Sequence, residues 1–474
     1  MTRVAIVGGG ISGLAAACTL QELKRTSQAK VEFVLYEAAP RFGGVLRTEH
    51  IDGCTVEAGP DSFLTEKPQA AELCRALGLG DQLITSNDAE RVTYVVLNNR
   101  LVPLPDGLMF MVPTRAAATL RSPLFSAAAK LRMAREMLHP PRASSADESV
   151  ASFVERHYGA EVVDRLADPL LSGIYGGSAA SLSVRAVLPR FVEMERNTGS
   201  LGRAMLAARK RTDASARPPA PLFTSLKNGL QQFIDALVAS LPAKALRLGT
   251  PVQAVQREEI GGWLVSAGLQ SDQFDAVILA IPTHASADLL QQQAPELAAE
   301  LNAIPYTSSI TVALGYDAVV RQSLPRGFGF LVPRSEGRTL LAATFVHSKF
   351  PYRAPLDRAL LRCFIAAEKA DTLMNESDDA VVEAVRKDLL QILKLEAEPV
   401  FARVYRWHSA MAQYTVGHLE RLERIERLTR GLAGVALAGN GFRGIGISDC
   451  IRSGCDAARR VASDSGEDND SGDE

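Results

Sequence analysis

Residues 4–7 (Val-Ala-Ile-Val) form a short apolar run rich in β-branched side chains, which predicts a buried strand. Gly8, Gly9 and Gly10 break it, and an alanine-rich, helix-forming stretch starts at Ile11. A second apolar run, 31–36, ends at Glu37. Strand, glycine turn, helix and strand make a βαβ unit, and the spacing Gly8-x-Gly10-x-x-Gly13 has a mechanical meaning. Gly8 permits the tight turn, Gly10 lets the backbone approach a pyrophosphate, and Gly13 lets the helix lie close on the sheet. The helix start, with Ile11 and Ser12, aims free N–H groups and the positive end of its dipole at the phosphates. Glu37 falls where an acid accepts the adenosine ribose hydroxyls, roughly 20 residues after the glycines. A dinucleotide site is expected here.

Further along, apolar residues from Cys54 feed a Gly59-Pro60 turn followed by Asp61 and Ser62. An amphipathic helix is predicted at 67–79, then a hairpin of strands 92–97 and 100–104 joined by Asn98-Asn99. From 105 to 206 the texture is helical. That region opens on an apolar patch, 107–113, and then interleaves Arg115, Arg121, Lys130, Arg132 and Arg135. The patch reads either as a membrane-facing surface with basic flanks or as internal core. Residues 140–149 form a loop that caps the next helix, and 203–221 read as a basic, then Pro/Ala-rich linker. A helix at 231–241 and strands at 245–252, 262–266 and 274–282 return to the texture of the first unit. Between 308 and 413, strands such as 309–314 and 340–345 surround one long helix, which predicts a mixed sheet. Residues 435–451 repeat the opening theme: strand, glycine loop (439, 441, 444, 446), and a helix starting near Ser448 and Asp449. The first and last segments therefore clasp one cofactor, and its domain is discontinuous.

Composition narrows this picture modestly. At 474 residues the chain exceeds one hydrophobic core, so two or three domains are expected. No apolar run reaches the ~18 residues of a membrane span, and the first strand begins too early for a signal peptide. Cys18, Cys54, Cys74, Cys363, Cys450 and Cys455 are scattered and read as reduced thiols, with no zinc spacing. The expected location is cytoplasmic, peripheral on the inner membrane face if the 107–113 patch meets lipid. The net charge of −2 includes six acids within 464–474, so the body carries about +4. That stretch, with the whole of 463–474, reads as an acidic disordered tail. Neither a metal site nor a nucleic-acid partner is indicated.

After Glu37 the chain reads Ala38-Ala39-Pro40-Arg41-Phe42-Gly43-Gly44-Val45. The glycine pair admits the cofactor and Arg41 can pair with its phosphates. This run resembles the FAD-binding start of the flavin amine oxidase superfamily, so the expected dinucleotide is FAD. Longer segments resemble the protoporphyrinogen and coproporphyrinogen III oxidases. They are Glu57 to Leu64, Leu171 to Gly177 with Leu182 to Arg185, Gly327 to Pro333, and Gly444 to Ile451. The resemblance implies an α/β fold with a Rossmann-like FAD domain (1–85, 207–285 and 425–462). It also implies a mixed-sheet α+β substrate domain (86–104 and 286–424) and a helical membrane-associating insertion (105–206).

It implies FAD contacts at Gly8 to Gly13, Glu37, Ala38, Arg41, Gly43, Gly44, Val45, Gly59, Pro60, Asp61, Ser62, Val252, Asn440, Ile445, Gly446 and Ile447. Its reaction removes six hydrogens from a porphyrinogen in three flavin reductions, each reoxidised by O2 to give H2O2. A catalytic acid or base is not discernible. Expected substrate contacts are Lys67, Ile174, Phe328 and Leu331. Lys67 reads either as a propionate partner or as a solvated first-turn lysine, and Ile174 as a macrocycle wall or as core. Coproporphyrinogen, with four propionates, requires more positive charge than protoporphyrinogen with two. An amine oxidase is the alternative, although only Phe442 stands near the place of its aromatic cage. A non-enzymatic flavin or porphyrin carrier and a homodimer also stay open.

Overall fold

The computed structural model describes residues 2–26, 30–142, 146–213, 220–259 and 261–467. A five-stranded parallel sheet holds the strands in the order Leu246–Leu248, Val31–Glu37, Thr2–Val7, Ala276–Leu279, Val435–Leu437. Thr2–Val7 lies at its centre, with Val4 beside Phe33 on one flank and Ala276 on the other. Val4, Ala5 and Ile6 are fully buried, as expected of a parallel strand covered on both faces. Helices Ile11–Thr26, Gln231–Ala239 and Ile447–Glu467 share the core on one face. On the other lies an antiparallel sheet of Val252–Arg257, Trp263–Ala267 and Gln270–Phe274, with helices Thr283–Leu290, Pro295–Asn302 and His418–Arg430. The strand expected at 245–252 divides between these two sheets. Gly249, at φ 63°, turns the chain, and Pro251 offers no N–H to continue the ladder. Leu246–Leu248 consequently joins the parallel edge and Val252–Arg257 starts anew.

The second large sheet is mixed. Its order is Phe401–Ala412, Tyr306–Asp317, Arg358–Ile365, Leu340–Phe345, Gly329–Leu331, Thr93–Leu97, Arg100–Pro103. Only Thr93–Leu97 runs parallel to its neighbour Gly329–Leu331. The expected hairpin is present, with Asn98 and Asn99 at φ 50° and 60°, the left-handed pair that a two-residue hairpin turn requires. The long helix Asp378–Leu393, capped by the Ser377 hydroxyl, buries Val381, Val385, Leu389 and Ile392 on this sheet.

Seven α-helices of four residues or more, from Ala116–Arg121 to Leu201–Asp213, build a separate core around Phe153, Leu166 and Leu171. The apolar patch is a small hairpin, Leu108–Met109 against Val112–Pro113, and it divides. Met111 and Val112 are fully buried, whereas Met109 and Phe110 are 49% and 36% exposed. The supposed linker begins as the helix Leu201–Asp213, and its Pro/Ala-rich part, 214–219, lies outside the described residues. Residues 463–467, expected in a disordered tail, continue the last helix; 468–474 lie outside the described residues. Among the described residues no helix is long and apolar enough to cross a membrane.

Candidate functional site

Gly8 donates its N–H to Tyr36 O and Gly43 to Gly9 O, so the glycine turn and the Gly43-Gly44 loop lie together. A Cβ on Gly13 would lie 1.8 Å from Gly8 O, which explains why the helix needs glycine where it meets the turn. A Cβ on Gly10 would meet nothing within 4 Å. Gly10 thus borders open space at the start of a helix with no acidic side chain in its first turn. That is a cradle for a pyrophosphate, so these residues fit FAD. Glu37 Oε2 accepts the Gly9 N–H and Oε1 the Ala39 N–H, both at 2.7 Å. The carboxylate fixes the turn through these two bonds. Ala38 is exposed in the bend beyond it.

Arg41, expected to pair with phosphates, instead donates to the carbonyls of Phe42, Gly44 and Leu46. Through these carbonyls its guanidinium shapes the glycine loop. Val252 begins its strand and packs partly against the core beneath the sheet. The segment is tied to the cradle through Thr250 N–H to Glu37 O, 2.8 Å.

At the other end, Tyr414 clamps the C-terminal glycine loop. Its hydroxyl donates to Asn440 O at 2.7 Å and accepts from Gly444 N–H at 2.9 Å. The Tyr414 ring stacks on His418, centroids 4.1 Å apart, and His418 Nε2 donates to Phe442 O at 3.0 Å. Burial holds the His418 pKa below its usual value, so the imidazole is a neutral donor. Sequence reading missed both residues, because a lone Tyr and a lone His more than 20 residues before the loop carry no local signal.

Beyond the cradle opens a cavity of about 650 Å³. Val45, Gly59, Pro60, Asp61, Ser62, Asn440, Ile445, Gly446 and Ile447 line its cofactor side. Its lining also includes Ile174, Val332, Leu341 and Phe364, with Trp407 held beside the Gly59 turn by its Nε1–H to Ala58 O, 3.0 Å. Ile174 therefore stands on the cavity, 46% exposed, and not in the core. Three other expected contacts do not line it. Phe328 is buried in the sheet and Leu331 belongs to the same strand region; the cavity is reached by the next residues, Val332 and Pro333. Lys67 is drawn to Asp449, 2.5 Å from Nζ to Oδ2. Asp449 is 4% exposed in the first turn of the last helix, and neither residue of the pair lines the cavity. Phe442, the aromatic-cage candidate, lines a different groove beside the last helix.

Charged groups that the sequence did not single out border the cavity. Lys349 Nζ donates to Asp61 Oδ1 and Oδ2 at 3.1 and 3.0 Å, and Arg362 Nη1 lies 3.7 Å from Oδ2. Burial alone would raise the Asp61 pKa, but the two cations outweigh it and hold the carboxyl well below its usual range. Burial draws Lys349 and Arg362 below their usual values, with Asp61 opposing. Behind them, Arg353 and Glu57 form an ion pair of 2.6 Å with both side chains at most 2% exposed. Glu57 also accepts from Leu230 N–H and Thr48 Oγ1, which ties strand Cys54–Glu57 to the segment before the Gln231 helix. Among the described residues no cluster of His, Cys, Asp or Glu is arranged to hold a metal.

Residues 11–462 match the family of flavin containing amine oxidoreductases. Coproporphyrinogen III oxidase of Bacillus subtilis is 34% identical over 95% of this chain and 96% of that protein. Chloroplastic protoporphyrinogen oxidase 1 of Arabidopsis thaliana is 29% identical over 97% of this chain and 88% of its own. A crystal structure from Exiguobacterium sp. 255-15, provisionally assigned as a protoporphyrinogen oxidase, superposes with a TM-score of 0.87. It is 31% identical and covers 98% of this chain and 99% of its own. A cyclohexylamine oxidase from Brevibacterium oxydans, 17% identical with a TM-score of 0.69 over 98% of this chain and 99% of that one, shares the fold. The chain belongs to the flavin containing amine oxidoreductases, among the relatives of the porphyrinogen oxidases.

Proposed function

We propose that this chain is an FAD-dependent porphyrinogen oxidase that takes coproporphyrinogen III to the porphyrin with O2 as final acceptor. The observation that carries the reading is the cavity: about 650 Å³, bordered by cofactor-side backbone on one face and apolar side chains on the other. The names of the relatives support the same substrate class. Gly8 to Gly13 with Gly43 and Gly44 would hold the pyrophosphate, Glu37 the ribose, and Val45, Asn440 and Ile445 to Ile447 the ring system. FAD, when bound, supplies a two-electron acceptor at the cavity wall.

The protein's own part is placement. Ile174, Val332, Leu341 and Phe364 offer apolar surface for the macrocycle, which on binding would displace water from the reacting carbon. Five cations (Arg334, Arg338, Lys349, Arg362, Lys369) and three acids (Asp61, Asp168, Glu368) line the cavity. The positive balance favours a substrate rich in propionates. Membrane contact belongs to the same reading: Met109, Phe110, Leu120, Leu131 and Leu138 are exposed on the helical region, near Arg121, Arg132 and Arg135.

The test is anaerobic mixing of the FAD-loaded protein with coproporphyrinogen III, then admission of air. Flavin bleaching, recovery of its absorbance and porphyrin fluorescence are expected, with kcat/KM above that for protoporphyrinogen IX. A flavin that stays oxidised with porphyrinogen bound would make the protein a carrier. Bleaching by primary amines alone would make it an amine oxidase.

A further inference from the structure

The buried charges around the cavity balance everywhere but at one place; Lys369 also lines it but is exposed to solvent. Arg334 meets Asp168 at 3.5 Å and Glu368 at 2.6 Å, and Arg338 lies 3.7 Å from Asp388. Arg353 is matched by Glu57. Asp61 alone faces two cations, Lys349 and Arg362, whose side chains are 10% and 7% exposed. Lys349 uses both Asp61 oxygens and the Ser62 hydroxyl. Arg362 donates only to Gly59 O; its Nη1 stops 3.7 Å short of Asp61, and its buried Nε has no partner among the described residues. A space of about 10 Å³ behind the pair, bounded by Asp61, Arg353 and Arg362, suits one water at most.

Aromatic faces soften the surplus without cancelling it. Lys349 Nζ lies 4.3 Å from the Phe223 centroid and the Arg362 guanidinium 4.7 Å from that of Phe364. Rings carry no net charge, so one positive charge stays uncompensated in a region largely screened from water. All three residues line the main cavity, and what enters there can supply the missing anion.

We propose that Lys349 and Arg362 form an inner carboxylate site, at which one substrate propionate completes the charge balance that Asp61 leaves open. The site rests on the porphyrinogen reading and deepens it. Asp61 sets the strength: it holds the two cations together and leaves a single charge for the ligand. A propionate placed there fixes the rotation of the macrocycle, and hence which bridging carbon faces the cofactor side.

The experiment compares coproporphyrinogen III with its tetramethyl ester, which keeps the macrocycle and lacks every carboxylate. In the FAD-loaded Lys349→Met protein the KM for the acid should rise about tenfold or more, the scale of one lost charge-assisted hydrogen bond. The ester's KM should change less than twofold. Lys349→Arg, which keeps the charge, should keep the preference for the acid. Equal effects on acid and ester, or none on the acid, overturn the proposal. So does an unchanged acid KM with a shifted flavin reduction potential, which would turn the charge toward the cofactor instead. Should Lys349→Met fail to hold FAD, Asp61→Asn decides: with more positive charge exposed, the acid's KM should fall relative to the ester's, and a rise or a parallel change overturns the site. Wild-type protein that oxidises neither compound refutes the porphyrinogen reading itself. Wild-type turnover of both, with indifferent variants, refutes the carboxylate site alone.

Discussion

Gly454 rests on the backbone of Ser12: a Cβ at position 454 would lie 2.0 Å from Ser12 O and 3.2 Å from Ala16 N. The last helix is thereby held in backbone contact with the first, and the loop that precedes it is held at the cofactor's far end. Gly454→Val should force the two helices apart. Overpacking of this kind costs about 1–3 kcal/mol, so the melting temperature should drop by several degrees and bound FAD should decrease. An unchanged melting curve would show that the contact is not a constraint.

Gly10 and Gly13 offer a cleaner pair. The space beside Gly10 contains no protein atom, whereas Gly13 is pressed on Gly8 O. Gly10→Val should fold with a near-native circular dichroism spectrum and emerge without FAD. Gly13→Val should lose stability whether or not FAD is supplied. Normal flavin content in Gly10→Val would remove the pyrophosphate assignment.

His347 makes a pH prediction with a definite sign. The imidazole is 5% exposed, and its Nδ1 lies 3.2 Å from the Leu360 amide nitrogen, which can donate to it. Burial lowers its pKa to about 4, from an ordinary value near 6.5. The unfolded chain therefore takes up a proton first as the pH falls. The stability due to neutral His347 is intact above about pH 6.5 and is lost progressively down to about pH 4, a change of about 3 kcal/mol. His347→Asn should flatten that slope in urea unfolding curves recorded between pH 7 and 4. An unaltered slope would assign the acid sensitivity to other groups.

The 108–113 hairpin lets the proposed membrane contact be tested apart from the core. Phe110→Asp touches an exposed ring in edge contact with Phe191, at a centroid distance of 6.0 Å. It should weaken binding to anionic vesicles, read by flotation, while turnover of detergent-dispersed substrate persists. Val112→Asp buries an unpaired carboxylate and should unfold the helical region. Equal vesicle binding by wild type and Phe110→Asp would confine the hairpin to a structural role.

Much of the cofactor cradle was legible because its chemistry is local. Gly8 to Gly13, Glu37 and Gly43-Gly44 are spelled out within 37 residues, and the turn forces their meeting. The C-terminal glycine loop was legible for the same reason. The cavity's charged interior was not, since Asp61 meets Lys349 and Arg362 across nearly 300 residues through the mixed sheet. Nothing near Lys349 distinguishes it in sequence from a surface lysine. Lys67 was half legible: its place near a site motif suggested a ligand, but its ion-pair partner, the buried Asp449, lies 382 positions away. Gly249 and Pro251 announced the break in the 245–252 strand, and their signal was overridden by the apolar residues around them.

The order of strands in the parallel sheet governs how this protein comes into being. Its five members are drawn from residues 2–7, 31–37, 246–248, 276–279 and 435–437, and the helix that closes over them follows the last. A chain emerging from the ribosome carries the glycine turn from the outset but has no finished seat until more than 430 residues have been made. The helical region and most of the mixed sheet are therefore synthesised while the first βαβ unit still lacks its neighbours. Closure of this sheet is consequently a late event, and a product cut short before Val435 displays the unpaired edge of Ala276–Leu279 to the cell's quality control.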